Sequence, residues 1–246
     1  MQSRKLIVAN WKVNGSRVLC DEYRNMLDEM PDAPLVICPP FPYLGQFHSP
    51  HIRVGAQNVS VYESGAHTSE ISVKMLSEFR CQYAIIGHSE VREAYGDSDT
   101  IIREKAQLLY KANIVPIICV GENEISRKSG RYINFVKSQL VRGLPLLGDE
   151  NQRSEIIIAY EPIWSIGTGN TASLAQIDEM TAEITNMVKD FYIQLPKLQV
   201  TVLYGGSVNA NNAEEILRLP YIDGLLVGSA SLDPHIMMSI LEKCRG

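Results

Sequence analysis

Residues 156–169 read IIIAYEPIWSIGTG and join an apolar run to a carboxylate and a glycine-rich segment. The run at 156–160 predicts a buried strand, which Pro162 ends because proline has no amide hydrogen to donate to a neighbouring strand. Glu161 therefore lies where the strand ends. The bulky residues after Pro162 and the glycines that follow have the build of a hinged lid. The stretch predicts either a catalytic base with its own lid or a structural carboxylate before an ordinary glycine turn.

Short apolar runs of this kind recur along the chain and predict eight strands, at 5–9, 35–38, 52–55, 83–87, 115–120, 156–160, 200–204 and 222–227. Continuously apolar strands are buried on both faces, as parallel strands are. Apolar residues at helical spacing predict helices at 21–30, 100–112 (capped by Asp97 or Ser98), 133–144 and 174–192. The alternation predicts one α/β domain over residues 1–246. Eight units in 246 residues favour a closed (β/α)8 barrel, typically of about 250 residues, over an open sheet of six or seven strands.

Composition excludes several kinds of partner. A formal net charge of -5 and scattered basic residues argue against nucleic acid. No apolar run approaches the roughly 20 residues of a membrane span, and the run after residues 1–5 is too short for a signal peptide. The five cysteines, without a C-x-x-C pair, predict reduced thiols and a cytoplasmic protein. His48 and His51 have no nearby carboxylate or thiol, so we expect no metal site.

The residues that follow each strand are the catalytic candidates, because the active site of such a barrel lies at the carboxyl ends of its strands. Asn10 and Lys12 follow the first run, and Lys12 is either a cation for an anionic substrate or an ordinary surface lysine. His88 follows the fourth run and is either a catalyst or a histidine of the core or surface. Ser89 begins a predicted helix, whose positive end disfavours the imidazolium form of His88.

Glycine turns follow the last two strands, with YGGSV at 204–208 and VGSAS at 227–231. Glycines at strand ends let backbone amides approach a ligand, and barrels commonly bind phosphate at these two strands. Two tight turns without a ligand are the alternative.

Together these motifs resemble the triosephosphate isomerase family over nearly the whole chain and in the family's order. The matching motifs are NWK at 10–12, GAQNV at 55–59, GAHT at 65–68, GHSE at 87–90, CVGE at 119–122, YEPIWSIGTG at 160–169, YGGS at 204–207 and LVG at 226–228.

The resemblance implies a TIM barrel of glycolysis and gluconeogenesis that interconverts dihydroxyacetone phosphate and D-glyceraldehyde 3-phosphate. Glu161 would move a proton between adjacent carbons through an enediolate. His88, as a neutral imidazole, would donate to that enediolate, as the family's histidine does. Asn10 would position the carbonyl, and Lys12 would supply positive charge to the phosphate and the oxyanion. Neither a redox cofactor nor a metal is required, and the chain has no G-x-G-x-x-G fingerprint.

The resemblance also assigns residues that bind the phosphate or support the site, namely Gly167, Ser207, Gly228 and Ser229 on the phosphate, with Gly205 and Gly206 beside them. In the closed lid Ile166 would meet Leu226. Glu90 would pair with Lys12. The segment 65–71 resembles the loop that docks into a second subunit, so Thr68 would reach the partner's site in a homodimer.

Three residues depart from the family pattern. Ser229 and Ser69 stand where the family usually has glycine, and Val91 stands where it usually has arginine. A serine costs about 1–2 kcal/mol if its backbone must adopt a positive φ and little otherwise. The changed phosphate turn suggests one alternative to a triose phosphate isomerase, an isomerase of a tetrulose phosphate. A barrel that binds without catalysis is a second, separate alternative.

Overall fold

A closed barrel of parallel strands forms the centre of the protein, whose computed structural model describes residues 5–47, 49, 51–148, 155–165 and 171–244. The strands, in barrel order, are β1 Leu6–Asn10, β2 Leu35–Cys38, β3 Arg53–Ala56, β4 Tyr83–Ile86, β5 Val115–Val120, β6 Glu155–Tyr160, β7 Gln199–Tyr204 and β8 Gly224–Val227. The first and last strands close the ring, with Ile7 opposite Leu225 and Val8 opposite Leu226. The predicted (β/α)8 TIM barrel is confirmed.

Alternating residues of the strands other than β3 belong to two separate apolar clusters, which explains why most of these strands are apolar throughout. One cluster fills the barrel, with Leu6, Val8, Val36, Cys38, Ile85, Val115, Ile117, Cys119, Ile157, Ala159, Leu203 and Leu226. The other lies between the barrel and the helices and includes Ile7, Ala9, Leu35, Ile37, Ile118, Val120, Ile156 and Ile158.

The helices of the described residues are α1 Arg17–Glu29, α2 Val73–Glu78, α3 Ser89–Tyr95, α4 Asp99–Lys111, α5 Glu124–Lys128, α6 Tyr132–Gly143, α7 Leu174–Phe191, α8 Ala213–Leu217 and α9 Pro234–Lys243. The four helices predicted from apolar spacing are present as α1, α4, α6 and α7, and the helix predicted to begin at Ser89 is α3. Helix α1 begins four residues earlier than predicted, because the Ser16 hydroxyl caps it by accepting a hydrogen bond from the Leu19 amide. Ser98, rather than Asp97, caps α4.

Short 3-10 helices at Phe41–Gln46, Ile163–Ser165 and Ser229–Leu232 follow β2, β6 and β8. The strand β8 begins at Gly224, two residues later than predicted, where a Cβ atom would lie 1.8 Å from the Leu6 carbonyl oxygen. Among the residues described, no helix is both long and apolar enough to span a membrane.

Candidate active site

A cavity of about 1480 Å³ opens at the carboxyl ends of the strands and gathers most of the predicted site. Its lining includes Asn10, Lys12, His88, Glu90, Glu161, Gly205, Gly206, Ser207, Leu226, Gly228 and Ser229. Ile166 and Gly167 lie outside the described residues. Thr68 does not line this cavity and is exposed on the segment 65–71. Barrel closure therefore brings residues from β1, β4, β6, β7 and β8 to one place.

Glu161 lies at the end of β6 and is bound on both carboxylate oxygens. Its side chain is almost fully buried. Oε1 lies 2.9 Å from His88 Nε2, and Oε2 accepts a hydrogen bond from the Ser89 amide at 3.1 Å. The Glu161 amide donates to the Val120 carbonyl at 2.8 Å, which continues the pairing of β5 with β6 beyond the strands. The carboxylate is therefore held towards the start of α3 rather than free in the cavity.

His88 is the N-cap of α3, and this position fixes which nitrogen faces the cavity. Nδ1 accepts a hydrogen bond from the Glu90 amide at 3.3 Å. A ring that accepts at Nδ1 carries its hydrogen on Nε2, so Nε2 donates to Glu161. Burial lowers the pKa of His88, but the Glu161 carboxylate more than offsets it and the pKa is raised above the usual value. The capping bond supports the predicted neutral imidazole, whereas the resting contact with Glu161 favours the protonated form.

Lys12 has a left-handed backbone with φ of 53°, which is strained for a residue with a side chain. Its neighbours hold this conformation on both sides of the residue. The Lys12 amide donates to Asn10 Oδ1 at 3.1 Å, and its carbonyl accepts from Gln57 Nε2 at 2.8 Å. The same Gln57 nitrogen donates to the Cys38 carbonyl at 2.9 Å, which ties the turn after β1 to the end of β2. With this backbone conformation, Lys12 lines the cavity.

The ammonium group of Lys12 lies 2.6 Å from Glu90 Oε1. The two side chains are 30% and 55% exposed, so this ion pair contributes at most about 1 kcal/mol to stability. The pair joins Lys12 to Glu90, the partner that the resemblance implied.

Gly205 and Gly206 lack a Cβ atom, which would crowd neighbouring side chains. A Cβ atom at Gly205 would lie 3.0 Å from Glu161 Cγ, and one at Gly206 would lie 2.2 Å from Tyr204 Oη. Ser229 is the first residue of a 3-10 helix and is not among the residues with positive φ. The serine is therefore accommodated without backbone strain, and its amide remains available to a ligand.

Sequence reasoning missed two residues beside Glu161. A Cβ atom at Gly121 would lie 1.7 Å from the Glu161 carbonyl oxygen, so only glycine fits there. Glu122 is fully buried and accepts hydrogen bonds from Tyr160 Oη at 3.1 Å and Trp164 Nε1 at 2.7 Å. Burial raises the pKa of Glu122, although these donors and Arg127 oppose the shift. The motif at 119–122 contained both residues, and its glycine directly after a strand was the available signal.

A second cavity of about 510 Å³ lies on the other side of Lys12 and Glu90 and is lined in part by Ser69, Glu70 and Ile71. The segment that contains Thr68 is closed at its base, because the Ser60 amide donates to the Ile71 carbonyl at 2.9 Å. Ser69 has a φ of 74°, so this serine, unlike Ser229, adopts the strained left-handed conformation.

Comparison with known proteins agrees with this geometry. The sequence model of the family described as Triosephosphate isomerase matches residues 5–244. The triosephosphate isomerase of Nitrosococcus oceani is 43% identical over 245 residues, which cover 96% of this chain and 97% of that protein. That of Idiomarina loihiensis is 38% identical over the full length of both chains. The solved structure of the Bartonella henselae triosephosphate isomerase has a TM-score of 0.87 and 34% identity, covering 99% of this chain and 100% of the other. The chain therefore belongs to the triosephosphate isomerase family.

Proposed function

We propose that the protein interconverts dihydroxyacetone phosphate and D-glyceraldehyde 3-phosphate, within glycolysis and gluconeogenesis. The observation that carries the proposal is the convergence of a buried carboxylate, an imidazole donor and a cation on one cavity in a chain of this family. The cavity offers a base, Glu161, and a hydrogen-bond donor, His88 Nε2, within 2.9 Å of each other. An aldose–ketose isomerisation needs both groups, one to remove a carbon-bound proton and one to polarise the adjacent carbonyl.

The resting contacts of Glu161 define the first step. The carboxylate must leave the Ser89 amide and His88 Nε2 and turn towards the bound substrate. His88 Nε2 is then free to donate to the substrate oxygen, and Glu161 removes the proton from the carbon. The same carboxylate returns that proton to the neighbouring carbon, while the hydroxyl proton of one substrate oxygen passes to the other oxygen, so that the carbonyl and the hydroxyl group change places. General-base catalysis of this kind contributes about 10²–10⁴-fold.

The charge on the enediolate oxygen is stabilised by groups already in place. Lys12 supplies a positive charge, Asn10 and His88 supply hydrogen-bond donors, and each such donor is typically worth about 10²–10³-fold. The reaction moves a proton between two carbons and has no net oxidation, so it requires neither a redox cofactor nor a metal.

We assign the phosphate to the turns after β7 and β8, where Ser207, Gly228 and Ser229 line the cavity. The distance from a Cβ atom built on Gly228 to Lys12 Cε is 3.5 Å, so the cation lies directly against this turn. The predicted contacts of Gly167 with phosphate and of Ile166 with Leu226 remain part of the proposal.

We also propose that the protein is a homodimer in the cytoplasm. Tyr95, which is 78% exposed, lines the second cavity, and the exposed Val13 (96%) and Tyr62 (48%) lie next to or near the lining residues Lys12 and Ser60 in the chain. The Tyr62 ring stacks on the His67 ring with centroids 3.5 Å apart, which ties the segment 65–71 to Tyr62. A second copy that inserted this segment beside Lys12 would cover these residues and bring Thr68 near the site. The free cysteines fit a reducing compartment.

The test is isomerisation of glyceraldehyde 3-phosphate by the purified protein, with a tetrulose phosphate assayed in parallel. We expect kcat/KM on the triose towards the diffusional ceiling of about 10⁸–10⁹ M⁻¹s⁻¹. Faster turnover of the tetrulose would overturn the substrate assignment, and activity on neither would overturn the function. The unstrained backbone of Ser229 removes the main reason to favour the longer substrate.

A further inference from the structure

Gln139 is a buried amide side chain on α6 that contacts the end of β5. Only 7% of the residue is exposed. Its Oε1 accepts a hydrogen bond from the Gly121 amide at 2.9 Å. Gly121 directly follows β5, so its amide lies beyond the last paired residues of β5 and β6. The side chain of Gln139 thus supplies the acceptor that the barrel does not.

Gly121 is in turn fixed against the backbone of the proposed base. A Cβ atom on Gly121 would lie 1.7 Å from the Glu161 carbonyl oxygen, and the Val120 carbonyl accepts the Glu161 amide at 2.8 Å. The residues 120–121 therefore contact both the amide and the carbonyl of Glu161. A shift of Gly121 would also shift the Cα atom from which the Glu161 carboxylate projects.

We propose that Gln139 is a positioning residue for the isomerisation. It lines the same cavity, but its oxygen is bound to the Gly121 amide, and Gly121 contacts the backbone of Glu161, so it acts on the reaction through Glu161. This inference rests on the proposed function, in which the Glu161 carboxylate leaves His88 and Ser89 and takes a proton from a substrate carbon. That exchange requires the carboxylate to turn about a fixed backbone, and a misplacement of about 1 Å can cost about 10²-fold in rate.

The phosphate side of the site is independent of this chain of contacts. Gln139 lies on α6 next to β5, whereas the proposed phosphate turns follow β7 and β8. Loss of the Gln139 acceptor should therefore slow proton transfer without weakening phosphate binding. This separation distinguishes a positioning role from a general loss of folding.

Three variants of the full-length protein test the inference. Gln139→Leu keeps a buried side chain but removes the acceptor, and Gln139→Glu keeps an oxygen acceptor at the same place. Val136→Ala is the matched control, because Val136 is fully buried on the same helix and its truncation weakens packing while the Gln139 acceptor for Gly121 stays in place. For each we would measure Tm, kcat, KM, the competitive inhibition constant of inorganic phosphate, and the primary isotope effect with carbon-deuterated substrate.

We expect Gln139→Leu to lower kcat by about 10-fold or more, with KM and the phosphate inhibition constant changed less than about twofold, and with a larger isotope effect. Gln139→Glu should recover most of kcat. Val136→Ala should lower Tm by at least as much as Gln139→Leu but leave kcat unchanged. Wild-type kcat in Gln139→Leu would overturn the inference. A Val136→Ala variant whose kcat falls along with its Tm would also overturn it. An inactive wild-type protein would overturn the proposed function, and the inference with it.

If Gln139→Leu does not fold, Gln139→Met also removes the oxygen that accepts from Gly121 and has a more flexible side chain. Unchanged kcat in that variant would overturn the inference equally.

Discussion

The Nε2 atom of His88 lies 2.9 Å from Oε1 of Glu161, so the proposed donor and the proposed base are bound to each other in the resting site. The carboxylate therefore affects the protonation of the imidazole. The pKa of His88 is raised, because the carboxylate outweighs the effect of burial. The resting protein keeps the two groups together, and catalysis needs them apart.

This contact predicts a pH-dependent contribution to stability. A histidine whose pKa is raised in the folded state stabilises fully below its unfolded pKa, and this contribution is lost as the pH rises through the folded pKa. His88→Gln should therefore lose more stability relative to wild type at about pH 6 than at about pH 9. Urea unfolding at both pH values measures the difference.

The control is the same substitution in a Glu161→Gln background. Without the carboxylate, burial should lower the pKa of His88, so the greater loss of stability at about pH 6 should no longer be seen. A stability difference that does not vary with pH in the wild-type background would contradict the prediction.

The strained backbone of Lys12 predicts that glycine at this position is more stable than alanine, although neither variant is active. Both Lys12→Ala and Lys12→Gly should abolish isomerisation, because each removes the cation from the site. Lys12→Gly should nevertheless be more stable than Lys12→Ala by about 1 kcal/mol, since glycine adopts a positive φ without the Cβ clash. Activity assays and denaturant unfolding of the pair decide this. Equal stability would mean that φ at Lys12 carries no strain, and activity in either variant would sink the role of Lys12.

The close approach of Gly121 to Glu161 predicts that Gly121→Ala is severe. The added methyl group would lie 1.7 Å from the Glu161 carbonyl oxygen, so the end of β5 or the backbone of Glu161 must move. We expect kcat to fall by about 10²-fold, with a loss of stability of about 1–3 kcal/mol.

Gly143→Ala is the matched control for that substitution. Gly143 ends α6, and an added Cβ atom there would meet its nearest neighbour at an ordinary 3.7 Å. This variant should keep full activity and gain up to about 1 kcal/mol of stability. Near wild-type kcat in Gly121→Ala would show that the site tolerates movement at Glu161.

The two serines that replace the family's usual glycines should respond differently to reversal. Ser69 has a φ of 74°, so Ser69→Gly should stabilise the protein by about 1–2 kcal/mol. Ser229 lacks a positive φ, so Ser229→Gly should stabilise nothing and leave KM for the triose phosphate unchanged. Thermal unfolding and steady-state kinetics of both variants test the pair, and a stabilising Ser229→Gly would contradict the assignment. Sedimentation of the Ser69→Gly variant would also report whether the segment 65–71 takes part in a dimer.

The strands could be predicted because each is apolar on both faces, as in β5 and β6, and such runs have few other uses in a chain of this composition. Helices α4 and α7 are long enough for their apolar spacing to be read. Helices α5 and α8 contain five residues each, too few for a periodic pattern, and they were missed.

The site residues at strand ends could be predicted because barrel closure places all strand ends together. The relationship of Gln139 to Gly121 could not, because it joins residues on a helix and a strand end that no local pattern links. The sign of φ at Ser69 and Ser229 was equally hidden, since the two serines look alike in sequence and differ only in how the chain turns around them.

The pairing of β1 with β8 has a consequence for how the protein is made. Lys12 follows the first strand, and its side chain lies against Gly228, which follows the last. During translation β1 therefore emerges long before its partner strand β8. Leu6 and Val8 cannot pack against Leu226 until β8 has been synthesised. Lys12 and the turn at Gly228 meet only when the barrel closes. A growing chain therefore contains Glu161 and His88 for some time before it can bind a phosphate.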